Sequence, residues 1–124
     1  MDISPLIPAG RQIVKGYGDG GFTIAGIRWE GSVLVLPDRT QPWAPTELAQ
    51  VTEESFAPLL TLAERPRILL LGCGLRMAPV PAALRAALRA AGITVEPMDT
   101  GGACRTFNVL VSEDRSVAAA LIAV

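Results

Sequence analysis

The second half of the chain alternates between short, continuous apolar runs and longer segments in which apolar residues recur every three or four positions. A continuous apolar run such as 68–71 is typical of a parallel strand that is covered on both faces. The longer segments have a one-sided apolar face, for example Leu84 with Leu88, and Gly92 then follows as a helix-ending residue. This pattern predicts a βαβαβ unit with strands over 68–71, 93–96 and 117–122 and helices over 82–91 and 102–111.

From Gln12 to Leu36, short stretches of β-branched and aromatic residues are separated by glycines. Glycine readily adopts the positive φ angles of tight turns, so each glycine group marks the end of a short strand. The spacing predicts an antiparallel meander with strands over 13–17, 22–24, 27–30 and 32–36.

The middle of the chain is interrupted by prolines. Residues 37–45 contain three of them, which predicts a connector without a regular strand or helix. Trp43 in this connector is either a lid packed over the sheet or an exposed anchor for a partner. A first helix is predicted after Thr52, a residue suited to the N-cap, and Pro58 either kinks this helix or delays its start to about Ala57.

The chain has 124 residues, half of them apolar, which is the size of one domain with enough apolar surface for a core. We therefore predict a single α/β domain over 1–124, with 1–9 as a flexible N-terminus and a mixed, mainly parallel central sheet. The longest apolar runs fall well short of the roughly 20 residues that a transmembrane helix requires. No transmembrane segment is expected.

The composition and charge of the chain exclude several classes of function. The formal charge is −1, with 11 basic and 12 acidic residues spread along the chain, so no basic stripe for nucleic acid is expected. Histidine is absent, which excludes histidine-dependent catalysis and removes the usual zinc ligand. The two cysteines lack a CxxC spacing and are predicted to be reduced thiols. No cofactor, metal or catalytic residue is predicted.

Two glycine-bearing segments, 72–74 and 100–105, each fall where a buried strand ends and a helix begins. In open α/β sheets, ligands bind at the carboxyl ends of the strands, where helix N-termini present unpaired N–H donors and partial positive charge. Thr100 is predicted to cap its helix, and Arg76 and Arg105 to grip a carboxylate or phosphate. The candidate residues of this anion-binding crevice are Gly72, Cys73, Gly74, Arg76, Thr100, Gly101, Gly102, Ala103, Cys104, Arg105 and Asn108.

Structural alternatives stay open for several of these residues. The glycines at 72 and 74 belong to neither a complete dinucleotide fingerprint nor a Walker loop, and they could serve only a tight turn. Arg105 could instead pair with a nearby carboxylate, namely that of Asp99, Glu113 or Asp114.

Two further candidates lie on one predicted helix face. Asn108 shares that face with apolar residues, so it needs internal hydrogen-bond partners if it is buried. Cys104 near the helix N-terminus could have a lowered pKa and act as a nucleophile, although the chain offers no histidine as its base.

Four stretches also carry a resemblance to known proteins: 16–22, 31–37 together with Trp43, 71–74, and 98–110 followed by Glu113 and Arg115. The most specific part is Met98-Asp-Thr100 together with Ala103-Cys-Arg-Thr-Phe-Asn-Val-Leu110. Together these stretches resemble an α/β family of uncharacterised proteins, domain of unknown function 498. That family includes the third assembly factor of mitochondrial respiratory complex I and the adipogenesis-associated domain protein.

The resemblance implies a three-layer α/β fold with an attached strand subdomain and, for this chain, a non-enzymatic interaction or assembly-factor-like module that binds a protein partner. The alternative is a small-molecule domain, or an enzyme, that holds a small anion between 72–74 and 100–105. The first residues lack a basic leader. A cytoplasmic prokaryotic protein is therefore expected, or a mitochondrial one if the chain is a trimmed eukaryotic sequence.

Overall fold

The glycine-punctuated stretch forms a three-stranded antiparallel sheet in a computed structural model that describes residues 11–124. Its strands are β1 (Val14–Gly18), β2 (Gly21–Ile24) and β3 (Ile27–Glu30). The connecting turns contain Gly20 and Gly26 at φ angles of 77° and 80°, conformations that favour glycine. The flexible N-terminus predicted over 1–9 lies outside the described residues.

The rest of the strands form one five-stranded mixed sheet in the order β5-β4-β8-β6-β7. They are β4 (Val33–Val35), β5 (Thr40–Pro42), β6 (Ile68–Gly72), β7 (Thr94–Met98) and β8 (Val117–Leu121). β6 pairs in parallel with β7 and β8, whereas β4 is antiparallel to β5 and β8. The predicted α/β fold with its mixed central sheet is confirmed. β4 leaves the predicted meander because its residues are all buried and need covering on both faces.

In the described part of the chain, three α-helices lie between these strands: α1 (Ala57–Leu60), α2 (Ala82–Ala90) and α3 (Thr100–Ser112). The helix predicted directly after Thr52 begins instead as the 3₁₀ turn Glu53–Phe56, and the α-helical turn starts at Ala57. Pro58 is tolerated there because the first turn of a helix needs no N–H from it. Within residues 11–124, no helix has both the length and the apolar character to cross a bilayer.

The connector over 37–45 departs from its prediction, since Thr40–Pro42 pairs with β4 as strand β5. β5 is an edge strand, bonded on one side only, where a terminal proline is tolerated. Trp43 is 7% exposed, its Nε1 donates to the main-chain oxygen of Ser55 at 2.7 Å, and its ring centroid lies 5.6 Å from that of Phe56. Of the two roles predicted for Trp43, the structure shows the lid packed over the sheet and not the exposed anchor.

The central sheet separates two apolar cores and so creates three layers. Alternate residues of β6 point to opposite faces: Leu69 and Leu71 enter the core beneath α1, α2 and Trp43, and Leu70 enters the core beneath α3. Phe22 and Ile24 of the small sheet close the second core, together with Phe107 of α3. The three-layer architecture implied by the resemblance is therefore present, and α3 contacts both the small sheet and the central sheet.

Candidate functional site

The structure brings the two glycine-bearing segments together at the carboxyl ends of β6 and β7. The N–H of Gly74 donates to Oγ1 of Thr100 at 3.0 Å, and the N–H of Thr100 donates to the main-chain oxygen of Gly74 at 2.8 Å. The N–H of Cys73 donates to the oxygen of Met98 at 2.8 Å. The first two bonds join the turn after β6 to the start of α3, and the third joins that turn to the end of β7. We call this junction the seam.

Thr100 is a structural part of this seam rather than the predicted helix cap. Its side chain is fully buried, and its hydroxyl donates to the main-chain oxygen of Ile122 at 2.7 Å while it accepts from Gly74. The cap is Asp99, whose Oδ2 accepts from the N–H of Gly102 at 3.2 Å. A carboxylate also interacts favourably with the positive end of the helix dipole, which explains why Asp99 takes this position.

Glycines in the seam allow close packing. A Cβ on Gly72 would lie 3.0 Å from Oγ1 of Thr100, and a Cβ on Gly101 would lie 2.5 Å from Oη of Tyr17. Tyr17 of β1 therefore rests on the first turn of α3. Its Oη accepts a hydrogen bond from Nη1 of Arg105 at 2.9 Å. The lack of a side chain at Gly101 thus allows Tyr17 of the small sheet to approach the helix closely.

Tyr17 is the residue of this region that sequence reasoning about chemistry missed. It precedes a glycine in the predicted meander and lies 88 positions before Arg105, so strand periodicity assigned it only to β structure. The feature of the sequence that could have drawn attention to Tyr17 is its place in the stretch 16–22, which carries part of the family resemblance.

The two cysteines lie on opposite sides of the central sheet. Cys73 is half-buried against the core of α1 and α2, and its Sγ lies 3.6 Å from the oxygen of Leu71. Cys104 is buried with Ala103 in the core beneath α3. Burial raises the pKa of the Cys104 thiol to about 12, against the opposing effect of Arg105. The alternative of a lowered pKa is wrong, because desolvation outweighs the nearby positive charge.

The remaining candidates serve different purposes. Asn108 joins α3 to β1: its Nδ2 donates to the oxygen of Val14 at 2.7 Å, and its Oδ1 accepts from the N–H of Val14 at 2.9 Å. Both ends of the amide are thus used internally, as expected for a polar residue on an apolar face. Arg105 bonds to Tyr17 rather than to the carboxylates proposed as its partners, and Arg76 is exposed in the loop after β6.

Most of the N–H groups at the start of α3 are not available to a ligand, so an anion would have to be bound mainly by side chains. Of the first three N–H groups of α3, those of Thr100 and Gly102 already have internal acceptors. Arg76 and Arg105 are exposed to solvent. Binding of an anion by the candidate residues stays a prediction. Within residues 11–124, no three Cys, Asp or Glu side chains meet in a way that would hold a metal ion.

A separate cleft of about 480 Å³ lies beside Trp43, at the edge of the central sheet that β5 forms. Its walls come mainly from the proline-rich connector and the turn before α1, including Pro42, Pro45 and Pro58. Glu54 contributes the charged group among its lining residues. None of the candidate residues lines this cleft, so it is distinct from the seam.

Comparison with known proteins extends over almost the whole chain. A family described as "Protein of unknown function (DUF498/DUF598)" matches residues 14–122. An uncharacterized protein of Rhodobacter capsulatus is 39% identical over 114 residues, which are 92% of this chain and 86% of that protein. A mouse protein named NADH dehydrogenase [ubiquinone] 1 alpha subcomplex assembly factor 3 is 38% identical over 109 residues. That match covers 88% of this chain but 59% of the mouse protein, so the chain spans little more than half of that relative.

A solved structure agrees with the fold. The crystal structure described as that of an outer membrane protein from Bartonella henselae superposes with a TM-score of 0.85 at 37% identity. The superposition covers 92% of this chain and 96% of that one.

Proposed function

Since this chain belongs to the DUF498/DUF598 family, we propose that it is a non-enzymatic interaction module that assists the assembly of a multisubunit protein complex. The observation that carries the proposal is the 38% identity, over 88% of this chain, to a mouse protein named as an assembly factor. Relatives from rat, cattle and human bear the same name at 37–38% identity. The matched region includes almost all of the α/β fold described above, which supports an assembly role for this domain.

The chemistry of the chain supports an interaction role. Histidine is absent, and the buried thiol of Cys104 is held in its neutral form, which makes a poor nucleophile. Large apolar side chains are nevertheless displayed to solvent, among them Leu75 at 86% and Met77 at 61% exposure. These side chains are available for contact with a partner protein.

The test is capture of the full chain from its own cells after brief crosslinking, followed by mass spectrometry. We expect the same subunits of one complex to be recovered in replicate experiments, and their assembly intermediates to accumulate when the gene is deleted. A variant with Phe107→Ala, which removes a buried core residue, is the unfolded control. Repeated recovery of this protein alone, with normal assembly in the deletion strain, would refute the proposal.

We infer a cytoplasmic site of action in a prokaryotic cell, or a mitochondrial one if the chain derives from a longer eukaryotic sequence. Support comes from a bacterial relative and from mammalian relatives named for a complex I assembly role. Fractionation of native cells with an antibody against the folded domain tests this. Recovery in the outer-membrane fraction, the description given to the Bartonella protein, would contradict it.

The second candidate is a small-anion domain. It is supported by the two bonds between Gly74 and Thr100, since Arg76 follows Gly74 by two positions and Arg105 belongs to α3. A thermal-shift screen with inorganic phosphate, nucleotides and dicarboxylates tests it directly. A ligand present at 100 times its Kd would add about 2.7 kcal/mol to the free energy of unfolding. No shift with any probe, or an equal shift in Arg105→Ala, would remove this candidate.

A further inference from the structure

β3 is the outer strand of the small sheet, and no strand of residues 11–124 pairs with its second edge. Ile27 is 58% exposed, and Arg28 and Glu30 are exposed as well. Trp29 is partly buried, because it packs against the core beneath α3. An edge strand with this exposure is available for pairing with a further strand.

The main-chain groups of β3 that point outward follow from its register with β2. The N–H of Gly31 donates to the oxygen of Gly20 at 2.8 Å, and pairs with and without hydrogen bonds alternate along an antiparallel ladder. Trp29 therefore bonds to β2, whereas the N–H and oxygen of Arg28 and of Glu30 point to the outer edge. β3 thus offers two donors and two acceptors to another strand.

The other sheet edges in the described part of the chain are partly blocked. On β7, the main-chain oxygen of Val95 accepts from Nη1 of Arg85 at 3.2 Å. On β1, Asn108 bonds both main-chain groups of Val14. β5 has three residues and ends at Pro42, which has no N–H. β3 contains no proline, so it is the edge to which a strand can most readily be added.

Two opposite charges lie on β3, at the residues whose main-chain groups point outward. Nε of Arg28 donates to Oε1 of Glu30 at 3.0 Å, and these side chains are 41% and 74% exposed. Nη2 of Arg28 also donates to the main-chain oxygens of Gly18 and Asp19, at 3.1 and 3.2 Å, which holds the guanidinium in place. The hydrogen bonds described for Arg28 and Glu30 thus involve their side chains, and both charges remain accessible to a further strand.

This pattern is self-complementary when two β3 strands run antiparallel. The register must set outward-pointing residues opposite each other, so the choices are Arg28 opposite Arg28, Glu30 opposite Glu30, or Arg28 opposite Glu30. The first two bring like charges together, which destabilises a sheet. The third sets each Arg28 opposite Glu30 of the second copy and satisfies the outward N–H and oxygen of both residues. A two-fold axis between the two Trp29 residues generates this register.

We propose that β3 is a self-association surface, through which two copies of this chain join their small sheets into one continuous sheet. The inference goes beyond the proposed function, since the pairing needs no other protein. Ile27 then lies opposite Gly31 of the second copy, which has no side chain, and so can contact the neighbouring Trp29 of that copy. A strand of four residues buries little surface, so the dimer is a weak one with a Kd in the micromolar range.

The first experiment measures self-association of the purified full chain by sedimentation velocity, from low to high micromolar concentration. We expect the wild type to shift from monomer toward dimer as its concentration rises. Glu30→Pro removes an outward N–H but no hydrogen bond to β2, so it should raise the dimer Kd at least tenfold and leave the fold intact. A wild type that stays monomeric over the whole range, or that dimerises no better than Glu30→Pro, would overturn the proposal.

The second experiment tests the register by reversing charges. Arg28→Glu and Glu30→Arg each set like charges opposite one another at both pairs, so each variant alone should have an at least tenfold higher dimer Kd. Mixed in equal amounts, the two variants restore opposite charges at every pair, and a mixed dimer should form. Arg115→Glu and Glu113→Arg, exposed residues with the same charges and spacing outside β3, are matched controls that should dimerise like the wild type. Equal loss in these controls, or no mixed dimer, would contradict the register.

The third experiment locates the contact with Trp29 as a reporter. In Trp43→Phe, Trp29 is the sole tryptophan, and pairing of β3 removes part of its indole from water. Its emission should therefore move to shorter wavelength as the concentration rises, with the same midpoint as the sedimentation data. Emission that does not change while a dimer forms would place the contact elsewhere on the molecule and overturn the assignment to β3.

Purified protein and capture from cells separate this inference from the proposed function. If the chain captures complex subunits but is monomeric at every concentration, β3 pairing is wrong and the assembly role stands. If that capture is also lost in Glu30→Pro, a strand of another protein takes the place of the second copy, which likewise overturns the proposal. A β3 dimer that captures no subunits would support the pairing and remove the assembly role.

Discussion

At Gly101, the missing side chain makes room for the ring of Tyr17, because a Cβ there would lie 2.5 Å from Oη and 2.9 Å from Cζ. Gly101→Ala should therefore push the ring aside and break its hydrogen bond with Arg105. Alanine is favoured over glycine in a helix by up to about 1 kcal/mol, which offsets this loss. We expect Gly101→Ala to be near neutral in the wild type but stabilising when Tyr17 is alanine.

A double-mutant cycle measured by urea unfolding checks this coupling. Val109→Ala, a change at an exposed position of the same helix, should have the same effect with and without Tyr17. If Gly101→Ala changes the free energy of unfolding equally in both backgrounds, the tyrosine does not constrain position 101.

The buried thiol of Cys104 predicts a pH dependence. Its pKa in the folded protein is about 12, above the ordinary value of 9.0, because burial disfavours the thiolate. A raised folded pKa gives stability that is complete below the unfolded pKa and is lost as pH rises toward the folded one. Between pH 8 and pH 10 this group should therefore cost about 1 kcal/mol in the free energy of unfolding.

The measurement is urea unfolding at both pH values for the wild type and for Cys104→Ala. Other groups also titrate in this range, so the prediction concerns the difference between the two proteins, which should narrow at pH 10. Val109→Ala, which removes no titratable group and lies at an exposed position of the same helix, serves as the control and should show the pH dependence of the wild type. Parallel pH dependence in the wild type and Cys104→Ala would contradict a neutral buried thiol.

Among the elements, those with a strong local pattern were predictable from sequence. The apolar runs gave β6 and β8, and the one-sided helix face gave α2 nearly residue for residue. The errors concern strands whose formation depends on their place in the tertiary structure. β5 forms despite Pro42 because it lies at a sheet edge, and β4 joins the central sheet because its partner β8 comes from the far end of the chain.

The candidate site, like the fold, was predictable from sequence only in part. The 100–105 turn lies where β7 ends and α3 begins, as predicted, and the fold places the 72–74 turn beside it. The prediction that a helix also begins at 72–74 is wrong, because a loop follows β6 and α2 begins only at Ala82. The capping of α3 by Asp99 instead of Thr100 could not be read from sequence, because both residue types cap helices. Burial of the Thr100 hydroxyl against Ile122 depends on a strand contact that no local pattern reports.

The attachment of β1 to α3 depends on one amide. Asn108→Ala removes both hydrogen bonds to Val14. The main-chain N–H and oxygen of Val14 then lack these partners. A loss of about 2–3 kcal/mol in the free energy of unfolding is expected, since each bond contributes about 1 kcal/mol and the groups that lose it lie in a partly buried site. Asn108→Asp retains the acceptor for the Val14 N–H but turns a carboxylate oxygen toward the Val14 oxygen, so at neutral pH it should cost at least as much.

Urea unfolding gives the size of this loss, and amide hydrogen exchange gives its location. Exchange at the Val14 N–H should accelerate more in Asn108→Ala than exchange within β6. Val109→Ala on the exposed side of α3 should change neither quantity. Unaltered protection of Val14 in Asn108→Ala would show that β1 is held by other contacts.

For the molecule as a whole, the two cores share the strands of one sheet. Residues of β6 and β8 point alternately into each core, so neither core can lose its sheet without exposing the other. The small sheet adds Phe22 and Ile24 to the second core instead of forming one of its own. We therefore predict that the described part of the chain unfolds as one cooperative unit.

The two tryptophans make that prediction measurable, because Trp43 belongs to the first core and Trp29 packs against the second. Trp29→Phe leaves Trp43 as the sole reporter, and Trp43→Phe leaves Trp29. In each variant, the urea midpoint from tryptophan fluorescence should agree with that from far-UV circular dichroism to within about 0.2 M, as two-state unfolding requires. A Trp29 transition at clearly lower urea would mean that the small sheet detaches first. In that case Tyr17 would leave Gly101 and Arg105 at the start of α3 before the central sheet unfolds.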